Sequence, residues 1–375
     1  MDSLTLLFAW LGGLANGTFP VFIKTDAVLR ARVHPTVFQL AKSIWVCIFG
    51  VTLLLVRAAQ GREPVYAFTP WAVASAVAWI PAGLTTIVAV PLIGVGPAVL
   101  TTAATGSLLS FLVFWLAFDE DMKMHDIGGT KVYLAPVYML GLVLGMGGLV
   151  AAHLWGTQRP KHSADEKPSE QSGDSDESGT QTSGDSDERD SQPLAAPRPT
   201  SGGSSPPGLP RGSARHAIGY ACAALAGVFS AVQFGLVTLG RRASGDVDGD
   251  ERFDPLGSWM TTFGVAAVVV TLVAYAGAAL RERRRPPLHL RVLAAPGSAA
   301  GIFWTAANLF NTLAVLRGGN AVVMAQCNAA GLVTSGLWGL LWYREIRGRP
   351  ALAWIVAALF TTGMTVLLSL EKAKG

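Results

Sequence analysis

Ten apolar runs, each close to twenty residues long, dominate this sequence of 375 residues. A helix of about 20 apolar residues is long enough to cross the hydrocarbon core of a bilayer. Charged residues make up only 14% of the chain, against about a quarter in soluble globular domains. We therefore predict an all-α polytopic membrane protein. The predicted spans cover roughly residues 4–22, 35–56, 70–90, 95–117, 132–154, 216–239, 256–280, 295–316, 320–343 and 350–370.

A segment of very different composition, residues 157–214, separates the first five spans from the last five. It is rich in Ser, Asp, Glu, Pro and Gly, so it cannot bury enough apolar surface to offset the entropy of ordering. We expect a disordered linker between one transmembrane part at 1–156 and a second at 215–375. The string SGDSDE occurs twice in this linker. It indicates either a tandem duplication in a solvated segment or phosphorylation of Ser175 or Ser186 beside acidic residues.

The two sets of five spans resemble each other when residues 78–120 are placed on residues 303–345 without a gap. The identities over this stretch include Trp79 with Trp304, Gly94 with Gly319, Gly106 with Gly331 and Glu120 with Glu345. Because five spans end on the face opposite the one where they began, the second set starts from the other side of the membrane. The prediction is two inverted five-helix repeats, which secondary transporters use to hold a site near the midplane.

Two stretches carry a resemblance to a known family: PGSAAGIFWTAANLFNTLAVLRGGNAVVMAQCNAAGLVTSGLWGLLWYREIRG at 296–348 and GGLANGTFPVFIKT at 12–25. They resemble the last third and the first helix of the eukaryotic transmembrane protein 144 family, within the drug/metabolite transporter superfamily. Bacterial glucose-uptake and rhamnose-transport proteins are similar. The resemblance implies a ten-helix, EamA-like fold and carbohydrate transport. The sixth helix has Phe234-Gly235 where the family has Val-Pro. Whether this helix breaks, as we expect the first helix to do near Pro20, is therefore left open.

The eighth span carries Trp304, Asn308 and Asn311 at spacings of four and three residues, which places them on one helical face. An aromatic ring against the C–H side of a sugar, with amides bonding its hydroxyl groups, is a suitable recognition surface. The aligned positions in the third span carry Trp79 and Thr86. The alternative is that the amides bond neighbouring helices, at about 0.6 kcal/mol per bond.

Further polar residues lie in the first, sixth and ninth spans. Asn16 lies in a stretch that glycines and Pro20 loosen, so it can bond freed backbone groups or a solute, as can Thr18. The counterparts of these two residues in the sixth span are Ser230 and Gln233. Gln326 and Asn328 are two residues apart, so at most one of them faces a given cavity. The candidate substrate-binding residues are Asn16, Trp79, Thr86, Gln233, Trp304, Asn308, Asn311, Gln326 and Asn328.

Charged residues are nearly absent from the middle of the spans. Lys42 is the exception, roughly 10 Å past Pro35 at 1.5 Å per residue. Although a cation at this depth is a functional candidate, we expect Lys42 to snorkel back to the near surface. No Asp or Glu falls in mid-span, so we expect facilitated diffusion or exchange rather than proton coupling. Phosphorylated substrates need buried cations, which favours a neutral polar solute.

The sequence therefore predicts a secondary transporter for a small neutral polar solute, a sugar, that works by alternating access in a lipid bilayer. A carrier of nucleotide sugars, amino acids or cations and a non-transporting membrane scaffold or sensor are the alternatives. No catalytic constellation, metal-ligand spacing or cofactor motif is present, so we expect no enzyme activity, metal or cofactor. The sequence contains no basic patch of the kind that binds nucleic acid, so we expect no nucleic-acid partner. A homodimer, and the choice between plasma membrane and endomembrane, stay open.

Overall fold

The computed structural model describes residues 1–158, 213–245, 250–343 and 346–372. Within these ranges, ten helices are long and apolar enough to cross a membrane. This confirms the predicted all-α organisation with ten spans, by length and composition. Apart from its short ends, the predicted linker lies outside the described residues, as do both SGDSDE strings and Glu345.

We number the ten long helices α1 to α10 in chain order. Their bounds are α1 Ser3–Thr18, α2 Pro35–Ala59, α3 Pro70–Ile93, α4 Val95–Leu112, α5 Ala135–Gln158, α6 Ser213–Ala243, α7 Ser258–Glu282, α8 Pro296–Gly318, α9 Asn320–Leu337 and α10 Arg349–Leu370. Three of them begin at a proline, whose missing N–H group has no intrahelical partner at that position anyway. Short helices at Asp26–Arg30 and Leu290–Leu293 lie in the connections.

The first helix changes its winding where the sequence predicts a break. After Thr18 the chain tightens into a 3₁₀ turn over Phe19–Lys24, because Pro20 supplies no N–H to continue the α-helical ladder. The sixth helix, by contrast, continues through Phe234 and Gly235 to its end. The break is therefore a property of the first set alone.

A short β-hairpin precedes α5. Strand β1 (Met124–Ile127) pairs with antiparallel β2 (Thr130–Tyr133) across the turn residues Gly128 and Gly129. Both glycines have positive φ angles, as a two-residue hairpin turn requires. The predicted fifth span began inside β2; this start was wrong, because the alternating strand ends before the helix begins at Ala135.

The packing contacts between the two sets come in equivalent pairs: replacing each helix by the corresponding helix of the other set gives a contact that is also present. Helix α1 packs on α8 and α9, and α6 correspondingly packs on α3 and α4. Likewise α2 packs on α8, and α7 packs on α3. The pairs α2 with α7, α4 with α9 and α5 with α10 join equivalent members directly. This exchange is the pattern that a two-fold relation between the sets produces.

The register of the sequence alignment recurs in the bounds of α4 and α9. Helix α9 begins and ends at the residue numbers of α4 plus 225, the offset of the alignment. Both helices end in one wider π-turn, Val113–Ala117 and Trp338–Trp342. Both follow a glycine in nearly the same conformation: Gly94 has φ 89° and ψ 165°, and Gly319 has φ 77° and ψ 167°. This backbone region is open almost only to glycine.

Glycines let the helices cross closely at two equivalent places. On α1, Gly13 lies against the backbone carbonyl of Cys327 in α9, and on α6, Gly227 lies against that of Thr102 in α4. A side chain at either glycine would collide with the carbonyl. Since α4 and α9 also pack on each other, these small residues bring four helices together.

Candidate functional site

A cavity of about 70 Å³ lies between helices of the two sets. Its lining comes from α1, α2, α3 and α4 of the first set and from α6, α8 and α9 of the second. One water molecule needs only ~10–15 Å³, so the cavity has room for several. Eight of the nine candidate residues line it: Asn16, Trp79, Thr86, Gln233, Trp304, Asn308, Asn311 and Asn328.

The two aligned tryptophans form one wall of this cavity. The rings of Trp79 and Trp304 stack with their centroids 3.8 Å apart and their planes inclined by 23°. Phe263 of α7 packs against both indoles, with its centroid 5.5 Å from that of Trp79 and 5.9 Å from that of Trp304. The two tryptophans that the sequence alignment pairs thus contact each other directly.

Asn308 is bonded between helices and also faces the cavity. Its Oδ1 accepts a hydrogen bond of 3.0 Å from Nε2 of Gln233 in α6, and its Nδ2 lies 3.4 Å from the sulfur of Met260 in α7. The interhelical alternative therefore applies to Asn308 without removing it from the lining. A solute would contact an amide that two neighbouring helices hold in place.

Asn311 lies one turn further along α8. It is 3% exposed, its Oδ1 has no hydrogen-bond partner, and the side chain packs against Gly12 of α1. A buried amide oxygen without a partner is costly. Its aligned residue Thr86 is satisfied, because the Thr86 hydroxyl donates to the carbonyl of Ala82 at 2.8 Å. The two sets thus provide different polar chemistry at the same place.

The two amides of α9 point to different sides. Asn328 lines the cavity and donates from Nδ2 to Ser107 Oγ at 3.0 Å. Gln326 lies outside the cavity, and its Nε2 donates to the carbonyl of Thr365 in α10. Of the two candidates, the structure therefore places Asn328 and not Gln326 in the lining, because the Gln326 side of α9 packs against the last helix.

Lys42 lies in the cavity wall and does not snorkel, so that expectation was wrong. Its side chain is fully buried, and Nζ lies 3.5 Å from Oε1 of Gln39. Three rings surround it: Nζ is 4.4 Å from the ring centroid of Phe19, 5.4 Å from Trp79 and 5.6 Å from Trp304. Aromatic faces attract an ammonium group. These rings come from three different helices, which the sequence alone could not bring together.

Ionic contacts of different strength tie the two ends of α2 to the second set. At the C-terminal end, the buried guanidinium of Arg57 donates to Asp254 Oδ2 at 2.7 Å and to Glu251. At the N-terminal end, Nε2 of the part-exposed His34 lies 3.2 Å from Oε1 of Glu282 at the end of α7. A helix of 25 residues separates the two contacts by about 37 Å.

Acidic side chains lie at helix ends rather than in the cavity, whose lining contains none. Glu120 accepts hydrogen bonds from the backbone N–H groups of Asn320 (2.8 Å) and Ala321 (3.2 Å), and Lys372 Nζ lies 3.0 Å away. A carboxylate is stabilised at a helix N-terminus in this way. Among the described residues, no group of three or more His, Cys, Asp or Glu side chains is placed to hold a metal ion.

Comparison with known proteins gives information on the fold alone. No family model and no curated protein matches this sequence. A solved structure described as "Crystal structure of protein" superposes with a TM-score of 0.54 at 13% sequence identity, over 100% of both chains. At this identity the likeness concerns the arrangement of the backbone and says nothing of a substrate.

Proposed function

We propose that the protein is a secondary transporter that moves a small polar solute of the carbohydrate class across a membrane by alternating access. The observation that carries the proposal is the cavity lined by polar side chains from both sets of helices. Polar groups inside a membrane helix bundle are costly without partners, and where they face a cavity they commonly mark a solute pathway. The cavity is thus the proposed binding site.

The proposal includes two inverted five-helix repeats in an EamA-like arrangement. It is supported by helix packing that survives exchange of the sets, and by the shared offset of α4 and α9. Carriers built from inverted repeats place the site at the repeat interface and rock one half against the other. The motifs that resemble the transmembrane protein 144 family lie in α1, α8 and α9, which all line the cavity.

Alternating access needs contacts that close each side in turn. The Arg57 contacts and the His34–Glu282 contact lie at opposite ends of α2 and both join it to the second set. Movement of α2 relative to that set would break one contact while keeping the other. We assign these contacts as the gates of the transport cycle.

Substrate binding would use the tryptophan wall and the amides together. The indoles of Trp79 and Trp304 offer apolar surface to C–H groups, and Asn308 and Asn311 offer donors and acceptors to hydroxyl groups. Ligand pockets usually measure about 300–1,000 Å³, whereas this cavity measures about 70 Å³. The helices therefore separate when the solute binds, and the conformation described here is a contracted one.

Uptake of labelled hexose by proteoliposomes tests the proposal. Trp304→Ala and Asn311→Ala should each lower uptake roughly tenfold or more, which corresponds to about 1.4 kcal/mol of lost binding free energy. Gln326→Ala is the matched control, because Gln326 is an equally buried amide that lies outside the cavity. Uptake is normalised to the amount of monodisperse protein in each preparation.

Three outcomes would contradict parts of the proposal. Uptake of no solute in a panel of sugars, sugar acids, amino acids, nucleotide sugars and cations would exclude a transporter and favour a scaffold or sensor. Normal uptake in both cavity variants would exclude this cavity as the binding site. Uptake that follows an imposed pH gradient would contradict the uncoupled mechanism.

A further inference from the structure

We propose that Lys42 is the counter-ion for one negative charge on the transported solute, so that the cavity takes a small hydroxylated carboxylate, such as a sugar acid. The inference rests on the proposed transport function and names its substrate class. It replaces the expectation of a neutral solute, which rested on the scarcity of cations in the middle of the spans.

The first observation is the absence of an acidic partner. Lys42 is fully buried, and its contacts within the described residues are Gln39 and three aromatic rings. The cavity lining contains no Asp or Glu. A buried charge is expensive unless an opposite charge compensates it. Among the described residues no opposite charge reaches Lys42, so we infer that the transported solute supplies it.

The second observation is a comparison within the same helix. Arg57 of α2 is also buried, at 3% exposure, and two carboxylates, Asp254 and Glu251, surround it. The protein thus provides counter-charges for the cation at the helix end. In the part of the chain that the structure describes, no carboxylate contacts the cation at the cavity, which is the difference expected between a structural group and a binding group.

The third observation concerns the position of the ammonium group. The rings of Phe19, Trp79 and Trp304 surround Nζ at the cavity wall. They attract the ammonium group through their π faces but offer no oxygen or nitrogen acceptor for its hydrogen bonds. Gln39 Oε1, at 3.5 Å, is at the limit of hydrogen-bond distance. At least two of the three ammonium protons therefore remain for an anionic oxygen.

The composition of the lining selects the kind of anion. One cation, with no second Lys or Arg in the lining, matches the single charge of a carboxylate better than a phosphate, which is usually bound by several cationic groups. The tryptophan wall and the amides of Asn308 and Asn311 suit a hydroxylated carbon chain. A sugar acid combines both features in one molecule.

Gluconate and glucose serve as the two probes: both carry a hydroxylated six-carbon chain, but gluconate is an open-chain carboxylate and glucose is a neutral ring, so the Lys42 variants are needed to assign a difference between them to the charge. In proteoliposomes we expect the wild-type protein to take up labelled gluconate. Lys42→Gln should lower gluconate uptake about thirtyfold, as truncation of a buried charge partner typically does, and leave any glucose uptake nearly unchanged. Lys42→Arg should retain part of the gluconate uptake because the charge is kept.

Binding gives a readout that does not depend on transport. Gluconate should raise the unfolding temperature of the detergent-purified wild-type protein by more than glucose does at the same concentration. The shift should be absent in Lys42→Gln and in Lys42→Met, which replaces the ammonium with an apolar group of similar length. If neither variant folds, the preference of the wild-type protein for gluconate over glucose decides alone.

The outcomes separate this inference from the proposed function. Glucose uptake without gluconate binding or uptake, or gluconate binding that persists in Lys42→Gln, overturns the inference and leaves the transporter intact. A wild-type protein that carries no solute in the broad panel overturns the proposed function, and the inference with it.

Discussion

The two five-helix sets share a backbone pattern but place different side chains at the cavity. The tryptophans of α3 and α8 agree and stack on each other. One and two turns further on, α8 carries the amides Asn308 and Asn311, whereas α3 carries Gly83 and Thr86 at the aligned positions. Both sets thus line the cavity, and the polar chemistry differs from one side to the other.

Gly83 shows what this difference achieves. A side chain at this position would collide with the amide of Gln39, and Gln39 is the polar neighbour of Lys42. The small residue in α3 therefore makes room for the cationic group of α2. The first set supplies the cation and the second set supplies most of the amides of the lining, so a bound solute would have a fixed direction in the site.

The largest change in unfolding free energy is expected when the ionic contacts between α2 and the second set are removed, and it should differ between the two ends of α2. The double change Glu251→Gln with Asp254→Asn leaves the guanidinium of Arg57, which is 3% exposed, without a counter-charge. The free energy of unfolding should fall by about 3–5 kcal/mol, as for other stranded buried charges. Glu282→Gln breaks only a part-exposed contact and should cost at most ~1 kcal/mol.

Denaturant unfolding in detergent, followed by tryptophan fluorescence, measures both free energies. Conservative substitution to the amide keeps the side-chain size, so packing changes contribute little. Equal losses in the two variants would contradict the assignment of a strong gate at one end of α2 and a weak gate at the other.

The number of helices and the register of the repeat could be predicted from the sequence because both depend on local signals. The length of an apolar run sets the span, and bilayer thickness gives a sharp criterion for it. The offset of 225 residues, read from an ungapped alignment, recurs in the bounds of α4 and α9. The start of α5 was missed because four-residue strands are too short to interrupt an apolar pattern.

The directions of individual polar side chains could not be predicted in the same way. Gln326 and Asn328 are equally polar, and only the packing of α9 against Thr365 of α10 places the first outside the cavity. Lys42 was expected to snorkel because the sequence does not show which aromatic rings surround it. These rings come from the 3₁₀ turn after α1, from α3 and from α8. Such directions depend on which helices are neighbours, and this is a tertiary property.

The close helix crossings offer a test of where the two sets are equivalent. Gly13→Ala and Gly227→Ala should each cost about 1–3 kcal/mol of unfolding free energy, because the added methyl group collides with a backbone carbonyl of the facing helix. Gly106→Ala and Gly331→Ala should cost much less, since the nearest atoms lie 3.3 and 3.2 Å from the new carbon. The higher helix propensity of alanine, about 0.8–1.0 kcal/mol, offsets that strain.

These four variants are compared in one unfolding series under the same detergent conditions. A large loss for Gly13→Ala together with none for Gly227→Ala would show that the two crossings are not equivalent. The same result would weaken the proposal of inverted repeats.

A smaller effect is expected where the second set bonds across the cavity. Asn308→Ala removes the acceptor for Nε2 of Gln233 and should cost about 1–2 kcal/mol, since a buried donor is left unpaired. Combining it with Gln233→Ala should recover about 0.6 kcal/mol of coupling free energy, the typical size for a bond between membrane helices. Strictly additive losses in this double-mutant cycle would show that the bond contributes nothing to stability.

The smallest effect is expected at Thr86, the aligned partner of Asn311. Its hydroxyl donates only to the carbonyl of Ala82 in its own helix, and such a bond adds little to helix stability. Valine keeps the branched shape, so Thr86→Val should change the unfolding free energy by no more than about 0.5 kcal/mol and solute uptake by less than about twofold. Asn311→Val, measured beside it, should lower uptake roughly tenfold. A loss of uptake in Thr86→Val as large as that in Asn311→Val would show that both sets bind the hydroxyl groups of the solute. The unequal division of polar groups that we argue from Gly83 and Asn308 would then be wrong.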